Sequence, residues 1–224
     1  MVEDWAVNAP VRRGRISSGF RVGFIQTSHG LGILDFLMNK KNLLPVLLVP
    51  SIVLLIPLAA MLLQAEGWAW DAADFIVSWF LIAGAVLAYQ LVARHAVTRA
   101  YRFAVGLGLV TGLMLVWING AVGLIGSEDN PANLLYAGVL AVGAMGAMLA
   151  RLKPWGMARA LGATALAQFL VPVVAVIFWR EDFSPGEMPV FALNFCFVLL
   201  FSGSAFLFWL AGKKARDAGA SLPT

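Results

Sequence analysis

Charge is what this sequence has least of. Of its 224 residues only 12% are Asp, Glu, Lys or Arg, while 61% are hydrophobic; an average soluble domain carries roughly 25% charged residues. A water-soluble fold built from this composition has too little polar surface to cover itself. Cysteine is nearly absent too: Cys196 stands alone inside an apolar run, so an intrachain disulfide and metal-ligand spacing both drop out. Missing as well is an early apolar core. The chain is mixed and polar through Lys41, whereas a secretory signal peptide places its apolar region within about the first 30 residues. The first apolar run therefore reads as a retained anchor.

Enzyme signatures are also lacking: no GxSxG elbow, no HExxH, no Walker loop and no dinucleotide fingerprint occurs. The formal charge of +4 is dispersed between apolar runs, unlike the massed basic stripe of a nucleic-acid-binding surface.

What is present is a set of long apolar runs. About 20 apolar residues suffice for an α-helix to cross a bilayer, and six runs qualify: residues 43–63, 75–92, 103–125, 132–150, 155–179 and 190–211. The expected fold is all-α, a polytopic membrane bundle over 42–211, between a cytoplasmic or interfacial segment at 1–41 and a cytoplasmic tail at 212–224. Pro45, Pro50 and Pro57 make the first span the least regular, kinked or re-entrant. Ahead of it, residues 30–38 (GLGILDFLM) read either as a short interfacial helix or as a loosely ordered tail.

Basic residues set the orientation, because short loops rich in Lys and Arg stay in the cytoplasm. Arg12, Arg13, Arg15, Arg21, Lys40 and Lys41 precede the first span, and Arg94, Arg99 and Arg102 join the second to the third. Arg151, Lys153 and Arg159 flank the fourth-to-fifth turn, and Lys213, Lys214 and Arg216 follow the sixth span. The opposite loops carry Glu66, Asp71, Asp74, Glu128, Asp129, Glu181, Asp182 and Glu187, with Arg180 as their lone base. That alternation needs an even number of crossings, with both termini cytoplasmic.

No Asp, Glu, Lys or Arg lies deep in a span, which disfavours a proton-driven carrier. The spans do contain amides: Gln90, Asn119, Gln168 and Asn194. Each needs a partner in hydrocarbon, and Pro172 deprives the Gln168 carbonyl of its helical donor. Asn119, Gln168 and Asn194 are accordingly expected to form one connected cluster opening toward the acidic face. Helix-to-helix attachment is the common role of such amides; a binding cavity is the alternative. Small residues (Gly106 and Gly112; Gly138, Ala141, Gly146 and Ala150; Ala158 and Gly162) offer close helix approach. The short turn from Arg151 to Pro154 forces spans 4 and 5 into a hairpin.

The loop Gly126-Ser127-Glu128-Asp129-Asn130-Pro131-Ala132-Asn133 is the most distinctive polar stretch. Gly126 suits release of the third helix, Asn130 an N-cap, and Pro131 the first helical turn. Glu128 and Asp129 then face the positive end of the fourth helix dipole. A capped turn explains the loop; an outer acidic site formed by Glu128, Asp129, Asn130 and Asn133, for a cation or a docking partner, is the functional alternative. His29 and His95 both fall near the basic face, too shallow for paired ligation of a haem in the core.

Residues 101–168, above all AVGLIGSEDNPANLLYAGVLAVGAMGAMLARLKPWGMARALGATALAQ with its IGSEDNPANLxY loop, resemble a group of small bacterial multi-pass inner-membrane proteins. The likeness covers about residues 70–211 and leaves the first span and preceding tail outside. It implies a bacterial inner membrane and a helical core; no activity, cofactor or binding residue comes with it. Three readings compete: a non-enzymatic accessory or scaffold subunit partnered by another membrane protein, a small homo-oligomeric channel or carrier for a neutral or weakly charged solute, and a lipid-modifying enzyme using the outer carboxylates.

Overall fold

The computed structural model describes residues 39–66, 68–96, 98–125, 130–178 and 188–220. Six helical stretches are long and apolar enough to cross a membrane: Lys40–Leu62, Ala72–Ala93, Arg99–Val122, Pro131–Leu149, Pro154–Phe178 and Val190–Gly219. Even the shortest, at 19 residues, reaches about 28 Å, close to the roughly 30 Å hydrocarbon core. The chain is thus an all-helical, multi-pass membrane protein. The segment at 30–38, His29, Glu128, Asp129 and the 179–187 loop lie outside the described residues.

The first span is two helices, α1 (Lys40–Val53) and α2 (Leu55–Leu62), broken at Leu54. Pro57 cannot donate to the Val53 carbonyl, and Ser51 Oγ bonds back to the Leu47 carbonyl at 2.8 Å; both effects bend a helix. Helix α3 (Ala72–Ala93) opens with a reciprocal capping box, Asp74 N–H to Asp71 and Asp71 N–H to Asp74, each 2.9 Å. Thr98 caps α4 (Arg99–Val122), which ends at Gly123 with φ 66°. The third helix therefore terminates at Gly123, three residues before the expected Gly126, because glycine accepts the left-handed conformation there.

Asn130 caps a 3-10 turn, Pro131–Asn133, by accepting from the Ala132 N–H at 2.9 Å, and α5 (Leu134–Leu149) follows. The turn to α6 (Pro154–Phe178) holds Arg151 and Leu152 in succession at φ 48° and 58°. Two non-glycine residues in that region carry strain. The buried Tyr101 hydroxyl secures the turn, donating to the Leu152 carbonyl at 2.7 Å. Helix α7 runs Met188–Ala220, so the tail expected from residue 212 is helical through Ala220.

Sequence neighbours are not always spatial neighbours. The first span packs on α3, α3 on α4, α4 on α7, α7 on α6 and α6 on α5, giving the span order 1-2-3-6-5-4. Spans 3 and 4 touch little, which leaves the bundle open on one side. The basic end is gathered together: Tyr101 reaches the 4–5 turn, and Arg216 lies over the Trp155 ring at 5.5 Å.

Close approach in the 4–5 hairpin rests on particular glycines. A Cβ on Gly146 would lie 2.7 Å from that of Ala160, and one on Gly156 would lie 2.7 Å from that of Ala150. Gly138 and Gly162, which belong to the same sequence stripe, meet nothing within 4 Å.

Candidate functional site

Two polar networks occupy the half of the bundle away from the basic end. In the first, Asn194 Oδ1 on α7 accepts from Gln168 Nε2 on α6 and from the Tyr136 hydroxyl on α5, both at 2.9 Å. Asn194 Nδ2 donates to the Val190 carbonyl one turn back at 3.0 Å. One amide therefore joins spans 4, 5 and 6. Gln168 is 0% exposed, Tyr136 1% and Asn194 2%, so the network is closed. Gln168 Oε1 is buried without a partner, and Pro172 leaves its backbone carbonyl without the helical donor as well.

Asn119 stands apart, which corrects the expectation of a single cluster of three. Its Nδ2 donates to the Asn133 carbonyl at 3.3 Å, and its Oδ1 is buried without a partner. The reason is the packing order: span 3 lies against span 6 by its basic half, where Ser204 Oγ donates to the Ala104 carbonyl at 2.8 Å, while Asn119 reaches the start of span 4.

Asn133 organises that second network. Its Oδ1 accepts from the Leu124 and Ile125 N–H groups at 3.0 and 2.9 Å, and its Nδ2 donates to the Ile125 carbonyl at 3.3 Å. Leu124 and Ile125 are almost fully buried, and buried backbone outside a helix must be bonded by something. Asn133 is thus a clamp on the backbone leaving span 3. A recess of about 580 Å³ adjoins it, lined by Asn119, Asn130, Asn133 and Tyr136; neither Gln168 nor Asn194 borders it.

Sequence reasoning missed Tyr136 and the clamping role of Asn133. A phenol three residues beyond the Asn in an apolar span was the available signal, since a buried tyrosine hydroxyl needs a partner.

The remaining amide, Gln90, borders a cavity of about 800 Å³ between spans 1, 2 and 3, with its Oε1 buried and unpartnered. Another recess, about 400 Å³, lies between span 2 and span 4 across span 3. Gly84, Ala88, Gly108, Gly112, Gly143 and Ala147 are among its lining residues. The basic end carries a fourth, about 690 Å³, bordered by Arg99 and Arg102. Exposed His95 places Nδ1 3.1 Å from the Leu91 carbonyl on its own helix.

No family model matches the chain, and neither a curated protein nor a solved structure is significantly similar to it.

Proposed function

We propose that this chain is a non-enzymatic accessory or scaffold subunit of a membrane assembly, placed in a bacterial inner membrane with both termini cytoplasmic. The observation that carries the reading is the open side of the bundle between spans 2 and 4. Gly84, Ala88, Gly112 and Gly143 are among the residues that line it, small enough to admit the side-chain ridge of another transmembrane helix. Gly84 has nothing within 4 Å of a built Cβ and Ala144 is exposed, so the rim is free to receive it. Meanwhile the strongest intramembrane hydrogen-bonding groups are spent inside, on Asn194, Gln168 and Tyr136. Recruitment of a partner is the activity that such a division of groups serves.

The test is cross-linking from the groove. In a Cys196→Ser background, Gly84→Cys carrying a bifunctional reagent is expected to capture a different membrane protein that also co-purifies stoichiometrically in mild detergent. Gly84→Leu fills the groove and is expected to abolish that co-purification. A clean homo-oligomer, unaffected by Gly84→Leu, overturns the proposal. It would favour the channel or carrier reading, which draws on the unpartnered Asn119 Oδ1 beside the outer recess.

A further inference from the structure

Arg99 and Arg102 occupy the first turn of α4, and no acidic residue shares that turn. The N-terminus of a helix already carries partial positive charge, so two cations there leave an uncompensated positive site. Among the described residues Asp217 is the only carboxylate belonging to the basic end, since Glu66, Asp71 and Asp74 precede or open α3 at the other. Among the described residues the basic end therefore carries a large excess of positive charge.

What lies beneath the arginines gives a fitting counter-ion its shape. The 690 Å³ recess runs between spans 2, 3 and 6, past Tyr89, Phe103, Gly106, Val110 and Leu207. Tyr89, Gly106 and Val110 also line the 800 Å³ cavity between spans 1, 2 and 3, so the two form one groove. Its deeper part is almost wholly apolar, bounded by Val49, Leu54 and Met114. The Tyr89 ring sits beside Gly106, 3.6 Å from a Cβ built there, so a side chain longer than alanine at 106 would crowd the ring and the recess together. The stretch of α4 from Arg102 to Met114 rises about 18 Å, comparable to a single leaflet's share, roughly 15 Å, of the hydrocarbon core.

We propose that this groove binds an anionic phospholipid of the leaflet at the basic face, its phosphate between Arg99 and Arg102 and an acyl chain over Gly106 and Val110. A docked protein helix would satisfy the apolar walls and leave the arginines unanswered; a phospholipid answers both. The lipid also explains how the first span is held. That span packs chiefly on α3, and an acyl chain fills the space between it and α4.

The experiment uses the full chain in neutral detergent with dioleoyl phosphatidylglycerol or dioleoyl phosphatidylcholine added, reading bound lipid by native mass spectrometry. Phosphatidylglycerol is expected to bind more tightly than phosphatidylcholine. Arg99→Gln with Arg102→Gln is expected to weaken it on the order of 30-fold, from the usual contribution of two basic side chains near an anionic lipid. The charge-matched pair Lys213→Gln with Lys214→Gln, at the same end outside the groove, is expected to leave it unchanged. Gly106→Leu blocks the groove with both arginines intact and is expected to lower retention. Equal binding of the two lipids overturns the proposal; so does an equal loss in the lysine pair, which marks diffuse surface charge, or wild-type binding by Gly106→Leu. Should Gly106→Leu fail to fold, Val110→Trp occludes the same groove from a position that is 56% exposed, and its unchanged affinity overturns the proposal equally.

Discussion

Spans 3 to 6 are on average no more apolar than spans 1 and 2, yet the two groups are held by different means. In the first group, side-chain hydrogen bonds cross from helix to helix: Ser204 to Ala104, Gln168 and Tyr136 to Asn194, and Tyr101 to the 4–5 turn. Glycines bring the 4–5 hairpin to near contact. In the second group the link between spans is Trp79 Nε1 to Ser51 Oγ at 3.3 Å, beside a cavity of about 800 Å³. Aromatic packing of Trp70 on Phe75 and Trp117 adds support at the acidic end. Lipid tails are as apolar as leucine, so apolarity alone drives no association inside a bilayer. Close packing and internal hydrogen bonds make the difference between a rigid body and an appended pair.

The largest test of that contrast is steric. Gly146→Val places side-chain atoms where even a Cβ lies 2.7 Å from Ala160 Cβ and 3.2 Å from its Cα. Separating the hairpin is expected to cost about 3 kcal/mol, read as a lowered midpoint in reversible unfolding from mixed micelles. Gly84→Val in span 2, where nothing lies within 4 Å, is expected to leave the midpoint unchanged. Equal losses would erase the distinction between the two groups.

A smaller effect is expected from the polar network. Asn194→Leu strands the Gln168 amide and the Tyr136 hydroxyl together, a loss of about 2 kcal/mol for buried donors left unmet. Gln90→Leu removes an amide whose oxygen has no partner and is expected to shift stability by less than about 0.5 kcal/mol. Unfolding of the two variants side by side measures how far the peripheral amide differs from the central one. If Gln90→Leu is the more damaging, the network does not hold the bundle.

Smallest is a local term at the edge of the appended pair. Asp71→Ala breaks the capping box of α3 and is expected to cost about 1 kcal/mol. Amide hydrogen exchange should place that loss in the first turn of α3 and leave α6 and α7 protected. Spread of the faster exchange into α6 would mean that spans 1 and 2 fold as one unit with the rest.

The sequence by itself determined the membrane-spanning class, the six helices and their approximate limits. The reason is that each depends on a contiguous property: a run of apolar residues, a charge cluster, or a cap such as Asn130 before Pro131. The break in the first span was readable too, from Pro50 and Pro57. What only the tertiary structure decided is which spans are neighbours. Depth in the membrane put Gln168 near the middle of its span and Asn119 and Asn194 outward of it, but depth says nothing about azimuth around the bundle, and the 1-2-3-6-5-4 order carries Asn119 to Asn133 instead. Azimuth chose Gly146 over Gly138 as a contact within the 4–5 hairpin, while the span order recruited Tyr136 to Asn194 and opened the groove between spans 2 and 4. Helix-to-helix pairing in lipid rests on a few close approaches and hydrogen bonds between residues far apart in sequence, such as Ser204 and Ala104, and no local pattern in the chain encodes those.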